Sequence, residues 1–459
     1  MKTRGLITPA GFLLAIAGLG GLLYGVDFGV IAAAEPYMKA MGSYSDAQIS
    51  HIVGAVLLGG LLSSISAGWL CDFFGRKKMI VASAAMFLVA IPVVSLSLGS
   101  YPALYAGRVL QGMSAGYMAV VMPMYLTETL PPEIRGRGTG VFQFCLGLGL
   151  VVAASAGCLV AMRYGASDTA DAAGRVVAWG ANFWWTMVPV AVLFLGSLRL
   201  PESPVWLSRG SRLVVHDSCD ATSHAPQATL FQRRYVLPFL LACLVLTFNK
   251  TTGMSSFTSY LVTILHSAGF EGIFANWGQL AVKLTNMLVT IAAAMLVDRK
   301  GRTWLLKVGT GGMTVGLAAI GAVFLAIERF GVPASNFTGF LTMLAFFFMQ
   351  VFYALGPGLC VWLVLSELMP LRIRANGMAI ALFMNQLVAW GLASWFRPWV
   401  AAWGWSLMFF FFAANGVLYF ITVLFIPETK GKTLDELERL FEAKGEAEKT
   451  EMALDAERK

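Results

Sequence analysis

The chain has 459 residues, of which 58% are hydrophobic and only 13% charged, where soluble domains carry about 25% charge. A single soluble core of this size splits into domains, and there is too little charge here to coat several of them. That excludes a soluble multidomain enzyme, a disordered chain and a nucleic-acid-binding protein, and the net charge of +8 needs a different explanation from an acidic partner.

Twelve apolar stretches, each near the roughly 20 residues that cross the hydrocarbon core of a bilayer, predict an all-α polytopic membrane protein. They run over 10–34, 51–71, 79–98, 101–127, 138–161, 176–199, 235–265, 274–297, 304–327, 339–366, 375–396 and 402–426. The first follows Lys2 and Arg4 but is too long for a signal-peptide core, so it is expected to be retained as a helix. Loops on one side carry Arg76, Lys77, Lys78, Arg135, Arg137, Arg209, Arg212, Arg233, Arg234, Arg299, Lys300, Arg302, Lys307, Arg372 and Arg374. Those on the other carry only Lys39, Arg163, Arg175, Arg329 and Arg397. The positive-inside rule then puts both termini in the cytoplasm of a cell whose plasma or inner membrane holds the chain. The surplus charge is topological.

The six cysteines are scattered with no close pairing, so neither a disulfide framework nor a zinc site is expected. His51, His216, His224 and His266 do not cluster with acids, and no cofactor motif is present. Asn336-Phe337-Thr338 matches a glycosylation acceptor in an outward loop.

The chain repeats itself. Asp72, Gly75 and Arg76 recur as Asp298, Gly301 and Arg302, offset by 226; Pro201-Glu202-Ser203 recurs as Pro427-Glu428-Thr429 at the same offset. Glu128 with Arg135 recurs as Glu367 with Arg374. Duplicated bundles of this kind enclose a midplane binding site that opens alternately to either side. The expected organisation is a first six-helix bundle over 1–207, a short cytoplasmic connector over 208–234, a second bundle over 235–427 and a cytoplasmic tail over 428–459, with one amphipathic helix carrying Leu434, Leu437, Leu440 and Phe441.

With these residues in order, the chain resembles the sugar porter family of the major facilitator superfamily over nearly its whole length. The resemblance is carried by Gly25-Val26-Asp27, the loop from Asp72 to Lys77, Arg108-Val-Leu-Gln-Gly112, Pro123-Met-Tyr125-Leu-Thr-Glu128 and Pro201-Glu-Ser-Pro204-Val-Trp206. The second half adds Asp298–Arg302, Gly356-Pro-Gly358, Trp362, Glu367 and Pro427-Glu-Thr-Lys-Gly-Lys432. It implies the major facilitator fold, twelve helices in two six-helix pseudo-repeats. It also implies a proton-coupled symporter of a monosaccharide or sugar-like solute, acting as a monomer without cofactor.

The resemblance further implies that Asp72, Arg76, Glu128, Arg135, Asp298, Arg302, Glu367 and Arg374 form cytoplasmic ion-pair networks that break as the halves rock. On this basis Arg76→Ala would favour the inward-facing state. From geometry alone, Asp72 is expected to face a helix N-terminus, where the dipole favours negative charge. Asp27 and Arg108 lie within predicted helices, and ionisable residues at membrane depth are functional candidates. In proton-coupled members of the family an Asp and an Arg at these positions bind and release the proton. A static structural pair is the alternative.

Neutral sugars are held by amides, hydroxyls and aromatic faces. The candidates at family positions are Tyr24, Gln143, Asn286, Trp362 and Asn385. Helix 7 departs from the family: it reads Asn249-Lys250-Thr-Thr-Gly253-Met-Ser255, then Ser259-Tyr260, so a lysine replaces one of two sugar-contacting glutamines. Gln386 stands where the family has an aromatic, and Lys283 lies one helical turn before Asn286 on the same face. Two lysines at membrane depth need a counter-charge, which leaves neutral and anionic substrates, the latter a sugar acid or other hydroxylated carboxylate, equally open. An uncoupled sugar facilitator is the rival within transport, and a non-transporting nutrient sensor the remote one.

Overall fold

The computed structural model describes residues 10–131, 134–213, 233–368 and 374–426; the side chains of Arg135, Asp298, Glu367 and Arg374 fall outside the description. The first half comprises α1 (Ala10–Ala40), α2 (Asp46–Phe74), α3 (Arg76–Leu96), α4 (Tyr101–Thr129), α5 (Arg135–Tyr164), α6 (Ala172–Trp184), α7 (Met187–Leu198) and the short α8 (Pro204–Leu213). The second comprises α9 (Arg233–Thr251), α10 (Met254–Ser267), α11 (Phe274–Lys300), α12 (Arg302–Phe330), α13 (Asn336–Leu355), α14 (Pro357–Leu368) and α15 (Arg374–Leu424).

These elements make twelve spans. α6 with α7, α9 with α10 and α13 with α14 are each one crossing in two pieces. α15 is 51 residues long, about 75 Å of continuous helix at 1.5 Å per residue, far more than a hydrocarbon core of about 30 Å. It makes two crossings, turning at Gly404 where φ is 80° and ψ 168°. Glu328 of α12 fixes the turn by accepting from the Trp405 and Ser406 amides at 2.7 and 3.1 Å.

The two repeated loops have the same backbone. Gly75 joins α2 to α3 with φ 94° and ψ 161°, and Gly301 joins α11 to α12 with φ 92° and ψ 156°. Side chains rarely reach this conformation, so the glycines that recur at an offset of 226 are the hinges of a duplicated corner. That corner lies at the arginine-rich end of the bundle, hereafter the basic end.

Within the first half, α1 packs along α5 and α2 along α4. The α1–α5 approach is close enough that a Cβ on Gly25 would lie 2.0 Å from the Leu146 carbonyl oxygen, the small-residue packing that brings membrane helices together. It sets Tyr24 on α1 beside Gln143 on α5. Between halves, α2 packs on α15, α5 on α11 and α1 on α10.

Two sequence expectations are corrected. Arg397 is not a loop charge: it lies inside α15 and is 6% exposed. Asn336-Phe-Thr338 is the start of α13 rather than a loop, and the buried Thr338 hydroxyl donates to the Ala268 carbonyl at 2.6 Å. The expected connector over 208–234 begins inside α8; its remainder over 214–232 and the tail from 428 lie outside the described residues.

Candidate functional site

A cavity of about 270 Å³ lies between the halves. Tyr24, Phe28 and Gln143 line it from the first half, and Lys250, Ser255, Thr258, Lys283, Asn286, Gln350, Tyr353, Trp362 and Gln386 from the second. On its wall Gln143, two turns into α5 from the basic end, is exposed, and Trp362, midway along α14, is 45% exposed.

Of the substrate-contacting candidates, Tyr24, Gln143, Lys250, Ser255, Asn286, Trp362 and Gln386 stand on the cavity wall. Three lie behind it. Asn249 is buried and donates to the Pro357 carbonyl at 3.3 Å, tying α9 to α14. Asn385 is buried on α15 with its side-chain carbonyl unpartnered. Tyr260 is fully buried, stacked on Phe396 with 4.8 Å between ring centres. For Asn249 and Asn385 the next residue on the helix, Lys250 and Gln386, faces the cavity instead. Gln350 and Tyr353 belong to the wall but carry no motif; Gln350 donates to the Asn286 carbonyl at 2.7 Å and fixes that amide's orientation.

Asp27 and Arg108 meet in the interior of the first half, with Arg108 Nη1 3.7 Å from Asp27 Oδ1 and both side chains buried. Among the described residues, neither Asp27 oxygen has a hydrogen-bond partner. Arg108 instead donates to Gln111 at 2.7 Å and lies 6.0 Å from the Phe183 ring centre. Gln111, one turn along α4, thus holds the guanidinium just short of the carboxylate.

At the basic end, Arg76 donates to Glu128 at 2.9 Å and to Asp72 at 2.9 Å, and Ser203 donates to Glu128. Asp72 is mostly exposed. The carboxylate at the α3 N-terminus is that of Glu202, which accepts from the Arg76 and Lys77 amides at 3.0 Å each. All these groups belong to the first half. The side chains of Arg135, Asp298, Glu367 and Arg374 lie outside the described residues.

The opposite end holds a network that sequence reasoning missed. Glu35 of α1 is completely buried; it pairs with Arg397 of α15 and accepts from Thr263 of α10. Arg397 also pairs with Asp46 of α2 at 2.7 Å, and its amide donates to Ser50 at 3.0 Å. Tyr260 donates to Ser50 at 3.4 Å and lies 5.6 Å below the guanidinium. This network joins the two halves. Glu35, directly after the run Ala32-Ala33-Ala34, was the available signal.

Two pseudo-equivalent helical halves around a midplane polar cavity, shut at one end by contacts between them, define an alternating-access carrier. A model of the family described as sugar (and other) transporter matches residues 13–214 and again 214–441. The chain therefore belongs to the sugar transporter family, with the major facilitator fold. It is 27% identical to the arabinose-proton symporter of Bacillus subtilis over 94% of this chain and 95% of that one. It is 27% identical to the galactose-proton symporter of Escherichia coli over 93% of each, and 28% identical to the major myo-inositol transporter IolT of Bacillus subtilis over 94% of each. The crystal structure of D-xylose-proton symporter shares the fold, with a TM-score of 0.76 at 23% identity over 93% of this chain and 100% of that one.

Proposed function

We propose that the protein is a proton-coupled symporter of a monosaccharide-sized polyhydroxylated solute, held in a cell membrane with the basic end and both termini in the cytoplasm. In that orientation the structure is inward-facing. The cavity volume of about 270 Å³ lies at the lower edge of small-molecule sites and suits one sugar ring. The amides of Gln143, Asn286, Gln350 and Gln386 match the donor and acceptor pattern of hydroxyl groups.

The observation that carries the coupling is Asp27: a buried carboxylate 3.7 Å from Arg108 with no hydrogen bond to either oxygen. It takes up a proton without losing a hydrogen bond, and its helix also carries Tyr24 and Phe28 to the cavity wall. Rocking of the halves that moves Asp27 relative to Arg108 then links proton binding to access. The test is uptake of labelled sugars into proteoliposomes under an imposed proton gradient. Asp27→Asn is expected to abolish accumulation against a gradient while keeping solute exchange. Accumulation by that variant at the wild-type level removes Asp27 from the coupling, and wild-type uptake indifferent to the proton gradient makes the protein a facilitator.

A further inference from the structure

We propose that the solute is an acid: a monosaccharide-sized polyhydroxy carboxylate whose anionic group sits among Lys250, Lys283 and the N-terminus of α10. This rests on the reading of the midplane cavity as the substrate site. Both lysines line that cavity from different helices. Lys283 is 4% exposed, and Lys250 donates to the Ser255 hydroxyl at 3.3 Å. Among the described residues neither forms an ion pair, and no Asp or Glu lines the cavity. Asp27 is on the far side of α1's wall residues, facing Arg108.

A third source of positive potential lies beside Lys250. Span 7 breaks at Gly253, whose φ of 81° and ψ of 6° are left-handed. α10 then begins with no side-chain cap. Its first helical bond is Phe257 N–H to the Gly253 carbonyl at 2.9 Å, so the amides of Met254, Ser255 and Ser256 have no helical partner. Met254 and Ser255 line the cavity. Half-helix N-termini at the midplane of a transporter suit an anionic group.

Two ammonium groups and a helix N-terminus facing one water-accessible chamber give a local positive field with no protein counter-charge among the described residues. A neutral sugar leaves both cations uncompensated when the cavity closes around it, whereas a carboxylate accepts charge-assisted hydrogen bonds from them. The amides of Gln143, Asn286, Gln350 and Gln386 remain for the hydroxyls.

The test is thermal stabilisation of the purified full-length protein at pH 7 and constant ionic strength. The probes are D-glucuronate and D-galacturonate against D-glucose and D-galactose, with sodium acetate as the simple-anion control. The acids are expected to raise the melting temperature at concentrations where neither the neutral sugars nor acetate do. Lys250→Gln and Lys283→Gln are each expected to weaken acid binding roughly ten- to hundredfold, as for loss of a hydrogen bond to a charged group.

Stabilisation by the neutral sugars but not the acids overturns the acid proposal and leaves the sugar-symporter reading standing. Equal stabilisation by acetate shows a general anion site and also overturns it. No response to any sugar or acid removes the sugar-like solute itself. The two lysines lie on different helices, so one variant tests the proposal if the other fails to fold, and the wild-type preference for acid over neutral needs neither.

Discussion

The two ends of the molecule both carry buried arginine networks, but they bind different things. At the basic end, Arg76 joins Asp72, Glu128 and, through its amide, Glu202, all within the first half. At the opposite end Arg397 of the second half reaches Glu35 and Asp46 of the first. Among the described residues, the same chemistry joins elements of one half in one place and the two halves in the other. A network inside one half survives rocking of the halves; one that spans them must break each time the opposite end opens.

The sharpest way to break this comparison is Arg397→Ala. It leaves Glu35 buried without its cation, and breaking such a pair costs about 3–5 kcal/mol, all of it charged to the state closed at that end. A cysteine replacing Thr258 on the cavity wall, in a cysteine-free background, is expected to become reactive to an impermeant thiol reagent applied from the side opposite the basic end. Continued protection would show that helix packing alone keeps that end shut.

Arg76→Ala removes a nearly buried guanidinium from Glu128 and is expected to cost about 1–3 kcal/mol, lowering the melting temperature. Because its described partners are all in the first half, the labelling at position 258 is expected to change less than in Arg397→Ala. An equal change would show that the basic-end network also couples the halves. Glu202→Ala removes the acceptor at the α3 N-terminus, with an expected loss of about 1 kcal/mol in thermal stability and no change in cavity access. Asp46→Asn is the smallest expected effect, below about 1 kcal/mol, since Asp46 is half exposed and water screens its pair with Arg397. A larger effect on labelling from Asp46→Asn than from Arg397→Ala would overturn the assignment of Glu35 as the central partner.

The spans were legible because bilayer thickness and backbone hydrogen bonding leave a helix of about twenty apolar residues few alternatives. The repeated corners at Gly75 and Gly301 were legible because their φ restricts the residue type. The wall of the cavity was legible only in part. Asn249 and Lys250 are adjacent in sequence, yet one ties α9 to α14 and the other faces the cavity. Successive residues on a helix point about 100° apart, and sequence spacing alone does not say which direction is inward. Asn385 and Gln386 repeat the case on α15. Gln350 and Tyr353 had no motif to mark them, yet both line the site from α13.

By itself the sequence determined the class of molecule, the number of crossings, their duplication and the family, because composition, hydrophobic length and backbone-constrained glycines are local properties. Tertiary structure decided the pairings: Glu35 lies 362 positions from Arg397 in the chain and meets it only where α1 and α15 converge. It also decided that Lys250 and Lys283 share a chamber without an acid. Charge compensation depends on distance in space, and in this bundle that distance is set by how twelve helices pack rather than by their order.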